Sequence, residues 1–299
     1  MDIHEMKESE QEQYTQLWQD TFGDSPREIR AFSDHFAGDC QRLVLEDEGR
    51  VRAELTRFKM GELVFAGGAS SGEGHLPAVV SYAICTDAAS RGRGYGSAIT
   101  AYARDITGDE GGISMLSPAE DSLVDFYQPL DYCSFFYMEE RRIEATDILR
   151  EKSSDYAGPM AVRMDARDYC SLREEFLAGR THIRLSPATA GFVRICSLDG
   201  RGMLCLNGGQ AICVCDAYSS DERLLVTELL TRDENGAHEA AAMQMMADLA
   251  AYYGRRECIW RMPARSDSES KKLQAMLVPG RNFPAAAGAE APWFGFPFE

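Results

Sequence analysis

The sequence predicts an α+β protein with a mixed, mostly antiparallel central sheet flanked by helices, followed by a second α+β domain of similar plan. Three observations predict it. Apolar residues recur with a helical period through the first 36 residues and then switch to a period of two. A Gly-rich turn near residue 91 separates a strand-like run from a helix-like one. The second half of the chain repeats the order of several strands, one long helix and a further strand.

The elements follow in order. Tyr14, Leu17, Trp18 and Phe22 share one face of a helix over 10–23. Ser25 is an N-cap and Pro26 the first residue of a second helix, with Ile29, Phe32 and Phe36 on one side. Residues 42–46 read as a strand and Glu48-Gly49 as a turn. Val51, Ala53 and Leu55 alternate with Arg52, Glu54 and Thr56 in the returning strand of a hairpin. Residues 62–66 form a third strand, 67–74 a Gly/Ser loop, and 78–86 a longer apolar strand suited to a sheet centre. Past the turn at 91–96, Ala98, Ile99, Tyr102, Ala103 and Ile106 line one helical face. A strand at 113–117, a helix at 120–127 and an aromatic strand at 132–138 complete a domain over 1–142.

Residues 143–160 are polar and read as a connection. In 161–299, strand signals fall at 181–185, 191–197, 202–206, 210–216 and 223–230. A helix over 239–253 carries Met243, Met246, Ala247 and Ala250 on one face, and 258–262 is strand-like. This order suggests a divergent internal duplication. The segment after Pro279 ends in Trp293-Phe-Gly-Phe-Pro-Phe-Glu299. An exposed aromatic tail is a solubility liability, so docking against a domain is expected.

Composition narrows the function. The chain has 299 residues, 44% hydrophobic and 26% charged, enough for two cores. A net charge of −17 repels phosphate backbones and anionic lipid, so neither nucleic acid nor membrane is an expected partner. The same charge favours cationic partners such as amines, polyamines and lysine-rich peptides, and it also serves solubility. Nine cysteines with no C-x-x-C pair read as small buried hydrophobes in a reducing compartment. Five scattered histidines without H-E-x-x-H spacing give no expected metal site. The charged N-terminal residues lack a signal-peptide core, and no run of about 18 apolar residues occurs. A cytoplasmic location is expected.

The turn Arg91-Gly92-Arg93-Gly94-Tyr95-Gly96 carries the chemistry. No Lys follows the glycines as a Walker loop requires, and G-x-G-x-G is one residue short of the dinucleotide fingerprint. R-x-x-G-x-G between a strand and a helix start does fit. Backbone N–H groups converge at a helix N-terminus whose partial charge favours a pyrophosphate, and glycines let the phosphates approach. Arg91 and Arg93 add positive charge. A plain strand-to-helix turn with two solvated arginines is the competing reading.

With this loop, the run from Ile84 to Gly96 and the run from Leu116 to Tyr132 together resemble the GNAT acetyltransferase superfamily over about 1–142. The resemblance implies that Arg91, Gly92, Arg93, Gly94, Tyr95 and Gly96 bind the pyrophosphate of acetyl-CoA. It implies that Ile84, Cys85 and Thr86 pair through their backbone with the pantetheine arm, like an added strand. It also implies direct attack of a primary amine on the thioester, with Tyr127 donating a proton to the departing thiolate. A core aromatic beside Phe126 is the other reading of Tyr127. Glu54 and Glu120 are candidates for a general base, with a solvated strand carboxylate the expected state of Glu54.

Two positions depart from the family pattern. Glu120 stands where many members carry Asn, and Asp131 where they carry Gly. They motivate the alternative of a non-catalytic acyl-CoA-binding or regulatory protein. The second half resembles a degenerate GNAT repeat, since 232–237 lacks the loop glycines. The arrangement resembles the Eis-like tandem acetyltransferases without their sterol-carrier domain.

Overall fold

The computed structural model describes residues 1–66, 75–144, 160–232, 238–265, 268–280, 283 and 291–295. Two compact units form. The first comprises Met1–Val64, Ser70–Phe135 and Gln274–Ala286, and the second Phe65–Ala69, Phe136–Leu273 and Ala287–Glu299. The division therefore falls at 135/136 rather than near 142, and a C-terminal segment returns to the first unit.

The first unit opens with strand β1 (Asp2–Glu5) and helices α1 (Gln11–Phe22) and α2 (Pro26–His35). Gly23, left-handed at φ 83°, ends α1. Ser25 and Glu28 form a reciprocal capping box at the start of α2, beside Pro26. Strands β2 (Cys40–Asp47), β3 (Arg50–Val64) and β4 (His75–Thr86) follow. The two strands expected at 51–55 and 62–66 are one strand, β3, which absorbs the interruption as register shifts at Glu54/Thr56 and Lys59/Gly61. Helix α3 (Tyr95–Asp109), strand β5 (Ile113–Leu116), the short helix α4 (Ser122–Tyr127) and strand β6 (Cys133–Glu144) come next.

In the first unit β1, β2, β3 and β4 pair antiparallel in that order, and β4 pairs β5 in parallel across the α3 crossover. One face of β2 and β3 buries Leu43, Leu45, Ala53 and Leu55 against Tyr95, Ile99 and Ala103 of α3. The other face presents Phe58, and Tyr82 of β4, to Trp18 of α1, Phe32 of α2 and Phe36 just past its end, with ring centroids 4.7–6.3 Å apart. Phe22, expected on the buried face, is 46% exposed at the end of α1.

The second unit contains β7 (Ala161–Arg163), α5 (Ala166–Phe176), β8 (His182–Leu185), α6 (Pro187–Cys196), β9 (Met203–Leu206), β10 (Ala211–Cys215), β11 (Arg223–Thr231), α7 (His238–Tyr252) and β12 (Glu257–Pro263). The strand expected at 191–197 is instead helix α6. Ser186 caps it and Pro187 sits in its first turn, a start signal that outweighs the strand-like run at 191–197. Its sheet runs β7, β9, β10 and β11 antiparallel, then β11 and β12 in parallel across α7. That is the first unit's plan repeated, as the duplication reading requires. Helix α7 buries Ala242, Met246, Ala247, Leu249 and Ala250 in this core and leaves Met243 exposed.

The last strands are exchanged. Strand β6 pairs antiparallel with β12 in the second unit, from Met138↔Pro263 to Glu144↔Glu257. Strand β13 (Lys272–Leu277) pairs antiparallel with β5 in the first, Met276↔Leu116 and Leu277↔Met115. The described end of the tail docks in the second unit as expected. Trp293 and Phe294 are fully buried, and Trp293 bridges His182.

Each core contains a carboxylate, and the two are treated oppositely. In the second unit Glu228 accepts hydrogen bonds from Arg173 Nε (3.0 Å), the Tyr169 hydroxyl (2.8 Å) and Trp293 Nε1 (2.5 Å). In the first unit Glu54 is completely buried and neither carboxyl oxygen has a hydrogen-bond partner. The expectation of a solvated strand carboxylate is thus overturned, because α1 covers the face of β3 on which Glu54 stands. Burial pushes its carboxyl up to about 9, so it is neutral at pH 7.

Two outcomes follow. Glu54 must take up a proton to fold, so the stability it allows is full below the unfolded value near 4.5 and is lost as pH rises through about 9. Glu54→Gln is expected to remove this slope in urea titrations and to exceed the wild type by on the order of 3 kcal/mol at pH 7. A difference independent of pH would mean that the carboxyl is paired or wet. Glu228→Gln leaves Arg173 buried without its counter-charge and is expected to cost about 3–5 kcal/mol in the same measurement. A loss below about 1 kcal/mol would contradict the pairing.

Candidate active site

The loop between β4 and α3 is built by local bonds. Asp87 accepts from Ala89 N and from the Ser90 hydroxyl (2.8 Å), fixing a short 3₁₀ turn over Ala88–Ser90. Gly92 (φ 76°) and Gly94 (φ 81°) then take left-handed conformations, and Gly94 is the N-cap of α3. A side chain at either would be strained. Nothing lies within 4 Å of where their Cβ atoms would stand, so the concave backbone opens to solvent. The first intrahelical bond is Ala98 N to Gly94 O, and no side chain caps the earlier N–H groups. Gly96 is required for a different reason. A Cβ there would meet Thr86 Oγ1 at 3.1 Å and Phe126 Cζ at 3.5 Å, so α4 packs directly on the start of α3.

The two arginines differ. Arg91 is exposed and donates to the Thr86 carbonyl at 3.4 Å. Arg93 Nη2 lies 3.7 Å from Asp47 Oδ2, and its guanidinium stands 5.0 Å from the Tyr95 ring centroid. The buried Tyr95 donates its hydroxyl to the same Asp47 oxygen at 2.6 Å. Asp47, at the end of β2, gave no signal in the sequence, since nothing local marks a partner 46 to 48 positions downstream.

Strand β4 supplies Ile84, Cys85 and Thr86. Its parallel ladder with β5 covers only Ala78–Val80 against Ile113–Met115. On the other edge it stays with β3, where Ala83 and Ile84 together face Leu55 in a bulge and Ala83 sits at φ 50°. Register then resumes, with Cys85 opposite Glu54 and Thr86 opposite Ala53. Ile84 packs toward α3. The buried Cys85 thiol lies near Glu54 and the Thr21 hydroxyl, and burial followed by the Glu54 carboxyl pushes it far above the usual thiol range. It is no thiolate, and a nucleophilic role is unsupported. Tyr14, also buried, has its hydroxyl bonded to Thr56 Oγ1 in the same cluster.

Tyr127 ends α4 and is 6% exposed. Its ring lies 5.0 Å from that of Phe126 and 6.0 Å from that of Tyr132, whose hydroxyl bonds Ser114 Oγ of β5 at 2.7 Å. Burial, then the neighbouring Tyr132, pushes the Tyr127 phenol well above its ordinary value. Asp131 takes the left-handed turn after α4 (φ 66°), and Arg104 holds its carboxylate at 2.8 Å. Glu120 is exposed; its carboxylate accepts from the Ser122 hydroxyl at 2.5 Å and its carbonyl from Leu123 N–H at 3.0 Å. The helix expected at 120–127 therefore starts two residues later.

Elsewhere in the first unit, His4, Glu10 and Glu46 bring ligand-type atoms within 4.8 Å of one another. His4 is engaged by Glu10 at 2.9 Å and Asp2 at 3.0 Å, and these hydrogen bonds account for its place in the grouping. No helix among the described residues is long and apolar enough to cross a membrane. The loop at 232–237, expected to be a degenerate counterpart of 91–96, lies outside the described residues beyond Arg232.

Comparison with known proteins bears on the family and the fold. Residues 2–134 match the family model of an acetyltransferase (GNAT) domain. No curated protein gives a significant match. Among solved structures, a conserved protein of unknown function from Enterococcus faecalis, given as a probable N-acyltransferase, aligns at a TM-score of 0.66 and 12% identity. That alignment covers 92% of this chain and 72% of the other. A GCN5-related N-acetyltransferase from Kribbella flavida aligns at 0.64 and 17%, covering 92% and 70%. Eis1 from Mycobacterium abscessus aligns at 0.60 and 12%, covering 93% and 73%. At such identities the structures share the fold, here over both units. Residues 2–134, a little under half of the chain, thus carry the match to the acetyltransferase (GNAT) domain, and the likeness of fold extends over both units.

Proposed function

We propose that the protein moves the acetyl group of acetyl-CoA to a primary amine by direct attack, with the chemistry in the first unit. The observation that carries this reading is the open left-handed turn at Gly92 and Gly94, capping a 15-residue helix beside the strand end at Ile84–Thr86. Free N–H groups, the helix partial charge and the exposed Arg91 guanidinium suit a pyrophosphate there. A strand with no β5 partner past Val80 suits the amide-bearing pantetheine arm. Acetyl-CoA supplies an activated thioester to this site.

Tyr127 follows Phe126, the side chain that touches the start of α3, and its phenol stays protonated through neutral pH. In this reading the amine nitrogen bonds the acetyl carbon, the carbon–sulfur bond breaks, and Tyr127 gives its proton to the sulfur. Solvent then restores the phenol and takes the proton released by nitrogen. Glu54 is a neutral acid at pH 7 and Glu120 is distant in role, so neither serves as the base. The amine reacts in its uncharged form. The turn at Asp131 keeps the left-handed conformation, which supports an intact α4 and favours the catalytic reading over a purely binding one. An acidic chain of net charge −17 favours a cationic acceptor, and nine free cysteines suit a reducing cytoplasm.

Gly94→Glu strains a left-handed position and puts a carboxylate over the turn. It is expected to weaken acetyl-CoA binding by calorimetry at least a hundredfold, while the wild type binds in the micromolar range. Equal binding by both, or by neither, would remove the cofactor from this loop. Tyr127→Phe is expected to lower kcat about a hundredfold across an amine panel with acetyl-CoA affinity unchanged. Unchanged turnover would return Tyr127 to the core.

A further inference from the structure

Arg91 and Arg93 stand two residues apart in one loop, yet the first unit uses them differently. Arg91 is exposed, and its side chain donates to the Thr86 backbone carbonyl. Arg93 is folded back on Asp47 and over the Tyr95 ring. Asp47 comes from the end of β2, outside the loop. Its Oδ2 takes the Tyr95 hydroxyl at 2.6 Å, and its Oδ1 lies 3.2 Å from the Met1 α-amino nitrogen. The Tyr95 phenol, then that ammonium, holds the Asp47 carboxyl below the usual carboxylate range, so it is ionised at neutral pH. A fixed negative charge therefore sits against the first residue of α3, at the end where an anion would be bound.

The contact to Arg93 is of a kind that can be exchanged. At 3.7 Å it is an ion pair without a forked hydrogen bond, and the Arg93 side chain is 53% exposed. A phosphate oxyanion offers a guanidinium shorter, bidentate bonds. By contrast, the Tyr95–Asp47 bond is short and tied to a buried ring.

We propose that Asp47 is an internal competitor of the ligand's phosphates: it holds Arg93 in reserve, yields it when a phosphate group arrives, and by its own charge limits how tightly the loop binds. The inference rests on the reading of the loop as an acyl-CoA site and adds a residue that tunes it. Asp47 is a positioning residue and touches no reacting atom. Its two roles are separable, because Asn at this position keeps an oxygen for the Tyr95 hydroxyl while removing the charge that faces Arg93 and the Met1 amino group.

Calorimetric titration of the full chain tests this with acetyl-CoA, acetyl-dephospho-CoA and acetylpantetheine as probes. At low salt Asp47→Asn is expected to bind acetyl-CoA about three- to tenfold tighter than the wild type, with the gain shrinking in 0.5 M salt. Arg93→Gln is expected to bind several-fold more weakly, and the gain from Asp47→Asn to fall in its background. Acetylpantetheine, which has no phosphate, is expected to bind all variants alike. A gain that persists with the dephospho ligand assigns Arg93 to the pyrophosphate, and one that disappears assigns it to the 3′-phosphate. Equal or weaker binding by Asp47→Asn, or no loss in Arg93→Gln, would overturn the competition while leaving the loop as the site. A wild type that binds no acetyl-CoA would overturn the site itself, and the competition with it.

Discussion

Past Val80, strand β4 has no ladder with β5, while β3 holds its other edge to the end. A strand held on one edge only must present backbone amides on the other, and buried or half-buried amides need partners. The bulge at Ala83 and Ile84 makes the arrangement possible, since it lets β4 bend and still regain register with β3 at Cys85. The strand then delivers the chain to the turn at 92–94, where the amides gather at the start of α3. Tyr127 is placed by the same constraint, because α4 rests on Gly96 and Tyr132 is bonded to β5. Loop, strand end and phenol are thus consequences of one interruption in one sheet.

Much of this was legible in the residues. The spacing of Arg91, Gly94 and Gly96 between a strand and a helix marks the turn because Gly94 is left-handed and a side chain at Gly96 would crowd Thr86 and Phe126. Ser25-Pro26 marks the start of α2 through a complete set of capping bonds. Asp131 could be read as a left-handed turn from its position alone. What escaped was of another kind. Glu54 alternates with Ala53 and Leu55 as a solvent-facing residue would, and only the helix covering that face reveals its burial. Asp47 looks like the first residue of a tight turn, and its partners lie a whole hairpin and strand away. Helix α6 was hidden because 191–197 carries Phe192, Val193 and Ile195, residues that strands favour as well. Local pattern reports local bonds, and these features depend on distant ones.

The two carboxylates in the cores illustrate how differently a buried charge can be accommodated. Glu228 gathers a guanidinium, an indole and a phenol, and Gly295 is the residue that leaves them room. A Cβ there would stand 2.5 Å from Arg173 Nη2 and 2.7 Å from Glu228 Oε2. Desolvation is offset by contacts, and the result is a fixed structure. Glu54 has none of this and survives by keeping its proton. It adds nothing to the fold that a neutral isostere would not add better, and it stands opposite the strand proposed to carry the acyl donor.

The exchanged strands bear on how the chain comes into being. Strand β5 ends at Leu116, yet the strand that covers its edge begins at Lys272. At ordinary rates of synthesis, the intervening residues take roughly ten to thirty seconds to make. Throughout that interval the first unit has an open sheet edge on the ribosome, a surface on which another nascent chain could pair. Its sheet closes only after β7 to β12 have been made, so most of the second unit is already available to fold before the first is complete.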